Sequence, residues 1–154
     1  MSDTEILEPT EELQLEMQGS SYLTAICDPV TDSRQQVVPY ADKMLAAMRK
    51  KRSKRRGVGL SAPQVGIRLR FFVSKIDGCE ISINPTWTPV GPLTSSQSES
   101  CLSFPGKLRY KKRHREIRAT WTDTMGNRKT RVLHDFHARI FQHECDHLDG
   151  ICLF

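Results

Sequence analysis

Along the 154-residue chain, apolar side chains recur at two different spacings. From Val38 the spacing is helical: Tyr40, Met44 and Met48 fall four apart, with Ala41 and Leu45 beside them. Pro39 suits the first turn of that helix, and Gly57 follows the basic stretch after it. A second helical pattern runs from Phe136 through Ile140 to Leu148, with Asp135 as its predicted N-cap and Gly150 as its stop. Strand patterns lie between the two. Residues 69–74 (LRFFVS) and 80–84 (EISIN) read as strands, the second stopped by Pro85. Ile117, Ala119 and Trp121 alternate as a half-buried strand does, Met125-Gly126-Asn127 reads as a turn, and residues 130–133 as the returning strand. Strands grouped ahead of a closing helix predict an α+β fold, not alternating βαβ units.

Composition narrows the class. At 38% apolar and 27% charged residues, the chain can build one core. No apolar run approaches the ~18 residues of a membrane span, and the acidic start lacks the apolar stretch of a secretory signal. Five cysteines without framework spacing point to a reducing, intracellular setting. Residues 1–19 are expected to form an acidic N-terminal tail or weak helix, and residues 20–154 a single catalytic domain. Charge divides unevenly: residues 1–33 hold eight Asp or Glu and no Lys or Arg, so the rest carries 23 basic against ten acidic side chains. Much of that excess sits in two runs, from Arg49 to Arg56 and from Lys111 to Arg118. Such runs serve either as solvated surface or as contacts to a phosphate backbone, RNA above all.

The closing helix carries His143-Glu144-Cys145-Asp146-His147, an HExxH. Positions four apart share a helix face, so both imidazoles can reach one metal ion. Glu144 follows the first of them, where a carboxylate can reach a metal-bound water without being a ligand. A catalytic site needs a third ligand. Only seven residues follow His147 and none is Glu, while the position of a third histidine in the extended motif is Leu153. The ligand must therefore come from upstream, and Cys101, in Glu99-Ser100-Cys101-Leu102-Ser103, stands out.

With these residues in view the chain resembles the peptide deformylases. Three ordered motifs carry the likeness: GxGLAAPQ as Gly57-Val58-Gly59-Leu60-Ser61-Ala62-Pro63-Gln64, EGCLS as Glu99 to Ser103, and HExDH as His143 to His147. Weaker similarity extends from about Tyr22 to Phe154. The resemblance implies α+β architecture with mixed or antiparallel strands around a central helix that carries HExxH. It implies a metal site of Cys101, His143 and His147, with Glu144 as general base and the Gln64 amide and Leu102 backbone N–H facing the formyl oxygen. It places the substrate against Val58, Gly59, Leu102, Phe136 and Ile140. The implied reaction is hydrolysis of the N-formyl group of N-formylmethionyl nascent peptides by a cytoplasmic monomer. Softness admits zinc, cobalt or nickel beside iron, and the family implies Fe²⁺.

Two motif positions depart from the pattern, Ser100 for glycine and Ser61 for alanine, both small. The chain also ends seven residues after His147, without the C-terminal helix through which many bacterial members dock on the ribosome; shortened relatives are familiar from phage. Ribosome contact is then expected to be electrostatic, through the two basic runs. Other functional classes consistent with the residues are a metal-binding, ribosome- or RNA-associated module without turnover, and an amidase acting on another acyl group. Cys27, Cys79, Cys145 and Cys152 are expected to pack as small hydrophobes, and Trp87 and Trp121 to lie in the core or at its rim.

Overall fold

The computed structural model describes residues 12–50 and 57–154. A short helix α1 (Ser33–Gln36) leads into α2 (Val38–Arg49). Seven strands follow: β1 (Gly59–Ser61), β2 (Phe71–Ser74), β3 (Ile81–Pro89), β4 (Thr94–Glu99), β5 (Arg109–His114), β6 (Glu116–Thr122) and β7 (Arg128–His134). Helix α3 (Asp135–Leu148) closes the order. All strand pairings are antiparallel, in a five-stranded sheet β1-β2-β3-β6-β7 and a separate hairpin β4-β5. This is the α+β architecture anticipated above.

The large sheet is buried on both faces around β2, where side chains alternate by the strand's period of two. Phe71 and Val73 pack with Tyr40, Met44 and Met48 of α2, as the four-residue spacing of that helix requires. Phe72 faces the other way, onto α3, and meets Phe141 edge-to-face at 5.2 Å. Ile117, Ala119 and Trp121 line the same α3-side core, so the alternation read in β6 is the one observed. Helix α3 therefore lies between the sheet and the β4–β5 hairpin.

Three local expectations change. Pro85 does not stop β3, which continues to Pro89. The ladder shifts register between Ile83 and Thr86, so the proline sits where no ladder N–H is required. Asn84, at φ 47°, turns there and pairs through its side chain with the backbone of Val30, at 2.8 and 2.9 Å. Asp135 is not the cap of α3; His134, in extended conformation, is, and the Asp135 carboxylate instead accepts from Arg115. The third concerns the buried stripe of α3. Ile140 and Leu148 of the predicted stripe are buried, joined in the core by Ala138, Phe141 and Cys145, whereas Phe136 is 56% exposed at the helix start.

Of the acidic stretch, residues 1–11 lie outside the described residues. Residues 12–19 form no regular element, and Leu13 and Leu15 pack against the α2-side core. All five cysteines are free, and Cys27, Cys79 and Cys145 are buried while Cys152 is half-buried. No helix among the described residues is long and apolar enough to cross a membrane.

Candidate active site

Three segments meet beside α3. The first is the turn after β1. Ser61 caps the 3₁₀ turn Ala62–Val65: its N–H and its hydroxyl both donate to Gln64 Oε1 at 3.0 Å. With the carbonyl end of the amide held, its nitrogen must face the other way. It donates to Cys101 Sγ at 3.2 Å and to Ser103 Oγ at 3.1 Å. Gly66, at φ 80°, ends the turn in the left-handed region.

The second segment follows β4. Cys101 is 8% exposed, in a turn closed by Phe104 N–H on the Cys101 carbonyl. The third is α3 itself, whose i, i+4 spacing stacks His143 and His147 with Nε2 atoms 3.2 Å apart. Cys101 Sγ lies 3.4 Å from His147 Nε2, and the three donor atoms all fall within 4.8 Å of one another. For a tetrahedral ion with ~2.1 Å bonds to nitrogen and ~2.3 Å to sulfur, donor separations of roughly 3.4–3.6 Å are required. The donors are thus spaced to hold one ion, and their chemistry suits a borderline or soft cation.

The surroundings favour positive charge at that point. Burial opposes charge on His143, yet Cys101 and Glu99 beside it raise its pKa to about 10. Its Nδ1 meets Glu99 Oε1 at 2.9 Å, which fixes the ring with Nε2 turned to Cys101 and His147. Burial would also raise Glu99, but hydrogen bonds from His143 and Arg113 hold it down at about 2. Arg113 grips Glu99 in a fork at 2.9 and 3.0 Å and reaches Asp146 with its remaining nitrogen. Arg139 adds a bond to Glu99 at 2.5 Å and ties α3 to the hairpin through the carbonyls of Ser95 and Lys111. His147 is pushed well below its usual pKa by burial and by the positive charge of His143 and Arg113, which keeps a lone pair available.

Glu144 differs from the other carboxylates. It is 2% exposed, Oε2 has no hydrogen-bond partner among the described residues, and burial raises its pKa to about 7. A buried carboxylate without a partner is costly, and a pKa near neutrality is what a proton carrier needs. Gly59 permits this placement: a Cβ there would sit 2.6 Å from Glu144 Oε2.

A cavity of ≈ 1010 Å³ opens over these groups. Val58, Gly59, Gln64, Cys101, Leu102, Phe136, Ile140, His143 and Glu144 all line it. His147 lies behind, on a small void shared with His143. The structure therefore brings the candidate catalytic, metal-ligand and substrate-binding residues together, with His147 behind the cavity that the others line.

The sequence pattern of the polypeptide deformylase family matches residues 13–154. The chain belongs to that family. A peptide deformylase of Bifidobacterium adolescentis is 38% identical over 140 residues, covering 76% of this chain. The chain spans 64% of that protein's length, and 60% of a Thermotoga petrophila peptide deformylase at 42% identity. The crystal structure of Thermotoga maritima peptide deformylase superposes with a TM-score of 0.81 at 34% identity, over 92% of this chain and 94% of that one.

Four groups around this site went unassigned in the sequence: Glu99, Arg113, Arg139 and Asp146. Glu99 and Asp146 stand inside quoted motifs, adjoining or near ligands, which is a usable signal for partners that orient ligands. Arg113 was hidden in the run 111–118, read as exposed, whereas it is 6% exposed. Arg139 lies one helical turn before His143, the spacing that places it beside the same partner.

Proposed function

We propose that the chain is a metal-dependent hydrolase that removes the N-formyl group from N-formylmethionyl peptides and releases formate. The observation that carries this reading is Glu144: a buried carboxylate whose Oε2 has no hydrogen-bond partner among the described residues, beside three converging metal-ligand atoms, on the wall of a cavity large enough for a peptide end. A module that only binds metal has no use for such a group, nor for an amide donor held as Gln64 is.

Cys101, His143 and His147 would hold a divalent ion. Bound there, it supplies Lewis-acid polarisation of the formyl group and acidification of a water. Glu144 takes the proton of the attacking water and delivers it to the departing amine nitrogen, so one water and one amide become formate and a free amino terminus. Charge grows on the formyl oxygen as the bond to water forms. The Gln64 amide and the Leu102 backbone N–H are the donors for it. Both amide hydrogens of Gln64 are engaged by Cys101 and Ser103, so the formyl oxygen takes the place of one of these acceptors. Val58, Leu102, Phe136 and Ile140 form the apolar wall for the methionine side chain, and Gly59 pairs with the extended peptide backbone.

The thiolate and two imidazoles favour a borderline metal, and ferrous iron is the proposed occupant, with zinc, nickel and cobalt as substitutes. The same reading makes the protein a cytoplasmic monomer that meets nascent chains at the ribosome. Part of run 49–56 lies outside the described residues, and in run 111–118 Arg113 is withdrawn from the surface, leaving Lys112, Arg115 and Arg118 as the exposed cations. The test is formate release from a formyl-methionyl tripeptide by protein loaded in turn with each metal. Stoichiometric metal without formate at any loading would sink the proposal.

A further inference from the structure

Residues 12–20 form no helix or strand, yet they are bonded to the site at two points. Glu16 N–H donates to the carbonyl of Gln64 at 2.7 Å, and Gln18 N–H donates to the carbonyl of Ser103 at 3.1 Å. These acceptors stand on the two separate loops that flank the metal-ligand cluster. They are also the residues joined across the site by Gln64 Nε2 and Ser103 Oγ. Glu16, Gln64, Ser103 and Gln18 therefore close a ring, with Met17 as its outer link.

Further contacts hold the ring in place. Leu13 and Leu15 pack against the α2-side core and anchor the segment upstream. Ser20 Oγ donates to Glu16 Oε2 at 2.8 Å. Lys107 Nζ donates to Gln18 Oε1 at 2.7 Å, and its neighbours Gly106 and Leu108 line the cavity. Neither site loop belongs to a strand ladder: one is a 3₁₀ turn, the other a succession of turns. Cross-links such as these tie the two loops to one another.

We infer that residues 16–18 form a strap of positioning residues that sets the separation between the Gln64 amide and the Leu102 N–H. In its catalytic part this rests on the hydrolase reading above. Donors aimed at a developing charge must be held within ~0.5 Å of the productive geometry, and a misplacement of ~1 Å costs roughly 10²-fold in rate. The strap touches no substrate and acts only through the carbonyls that it holds.

The experiment compares the full-length, metal-loaded chain with Gln18→Pro, which removes the donor to Ser103, and with Leu15→Ala, which keeps every donor and loosens only the anchor. Two readouts are taken: amide hydrogen exchange by segment, and kcat, KM and bound metal for formate release from a formyl-methionyl tripeptide. Exchange in 60–66 and 100–106 is expected to quicken at least ~10-fold while α3 is unchanged. In parallel kcat should fall at least ~10-fold, with KM and metal content within about twofold. A Gln18→Pro chain that fails to fold leaves the same comparison to Leu15→Ala. Unchanged exchange in both loops overturns the strap. Faster exchange with unchanged kcat overturns its positioning role. Faster exchange in a protein whose parent releases no formate preserves the strap and removes the hydrolase reading instead.

Discussion

Gly59→Ala isolates the link between backbone and catalytic carboxylate. The substitution adds one methyl group to β1, and position 59 is not among those with positive φ, so alanine fits the backbone. The new Cβ would stand 2.6 Å from Glu144 Oε2, 2.9 Å from Cδ and 3.0 Å from Cγ. Ordinary contact begins near ~3.5 Å, so the carboxylate must retreat by about 0.9 Å. Glu144 is 2% exposed and lines the cavity, so the carboxylate retreats within the site and away from its present position. Crowding of this kind costs roughly 1–3 kcal/mol of stability, and a shift near 1 Å costs roughly 10²-fold in kcat. The assay is steady-state formate release with metal content and thermal unfolding measured on the same preparation. Gly57→Ala is the companion: its Cβ meets the mobile end of Leu102 at 2.7 Å rather than Glu144, and its effect should fall on KM first. If Gly59→Ala keeps kcat within about twofold of the parent, the placement of Glu144 as proton carrier is refuted.

Other expectations separate the remaining roles. Glu144→Gln should retain stoichiometric metal and lose several orders of magnitude in kcat, whereas Cys101→Ala should lose metal affinity; elemental analysis and rate together tell them apart. Gln64→Leu should lower kcat by ~10²–10³ through one lost donor, and an unchanged kcat would remove Gln64 from the site. Burial pushes the Cys27 and Cys79 thiols up to about 11. Their contribution to stability is therefore complete below about pH 9 and declines as pH rises toward 11; a Cys27→Ala/Cys79→Ala chain should show a flatter fall of its urea midpoint over that window. Any co-sedimentation with ribosomes should weaken steeply with salt and on joint replacement of Lys112, Arg115 and Arg118, while hydrolysis of a free peptide persists.

The reach of the sequence followed the range of the interactions. Helical spacing is local, so α2, α3 and the pairing of His143 with His147 were legible. Cys101 stood out because the chain after His147 offers neither the downstream Glu nor the third His of the common HExxH sites. The strand through Pro85 was not legible, because it depends on Asn84 bonding to Val30, fifty-four positions away. Arg113 misled for the same reason. Inside KKRHREIR nothing distinguishes it from its exposed neighbours until β5 turns it onto Glu99. The stripe of α3 was legible at Ile140 and Leu148, which are buried in the core, while its first position, Phe136, is exposed on the cavity wall.

The joined charges of Glu99, Asp146, Arg113 and Arg139 also bear on how such a chain can change over generations. Glu99, Arg113 and Arg139 are buried together, with Asp146 24% exposed at their edge, so losing Glu99 would leave two guanidiniums without their buried partner, a loss of ~3–5 kcal/mol. Against a typical folding stability of ~5–15 kcal/mol, one step of that size consumes much of the margin. The three buried positions are therefore a single hereditary character, open to joint replacement and closed to gradual drift. Glu99 is the least free, because it alone also orients a ligand imidazole. Variation in this neighbourhood should instead gather at Leu108, an exposed side chain on the cavity wall that carries no such obligation.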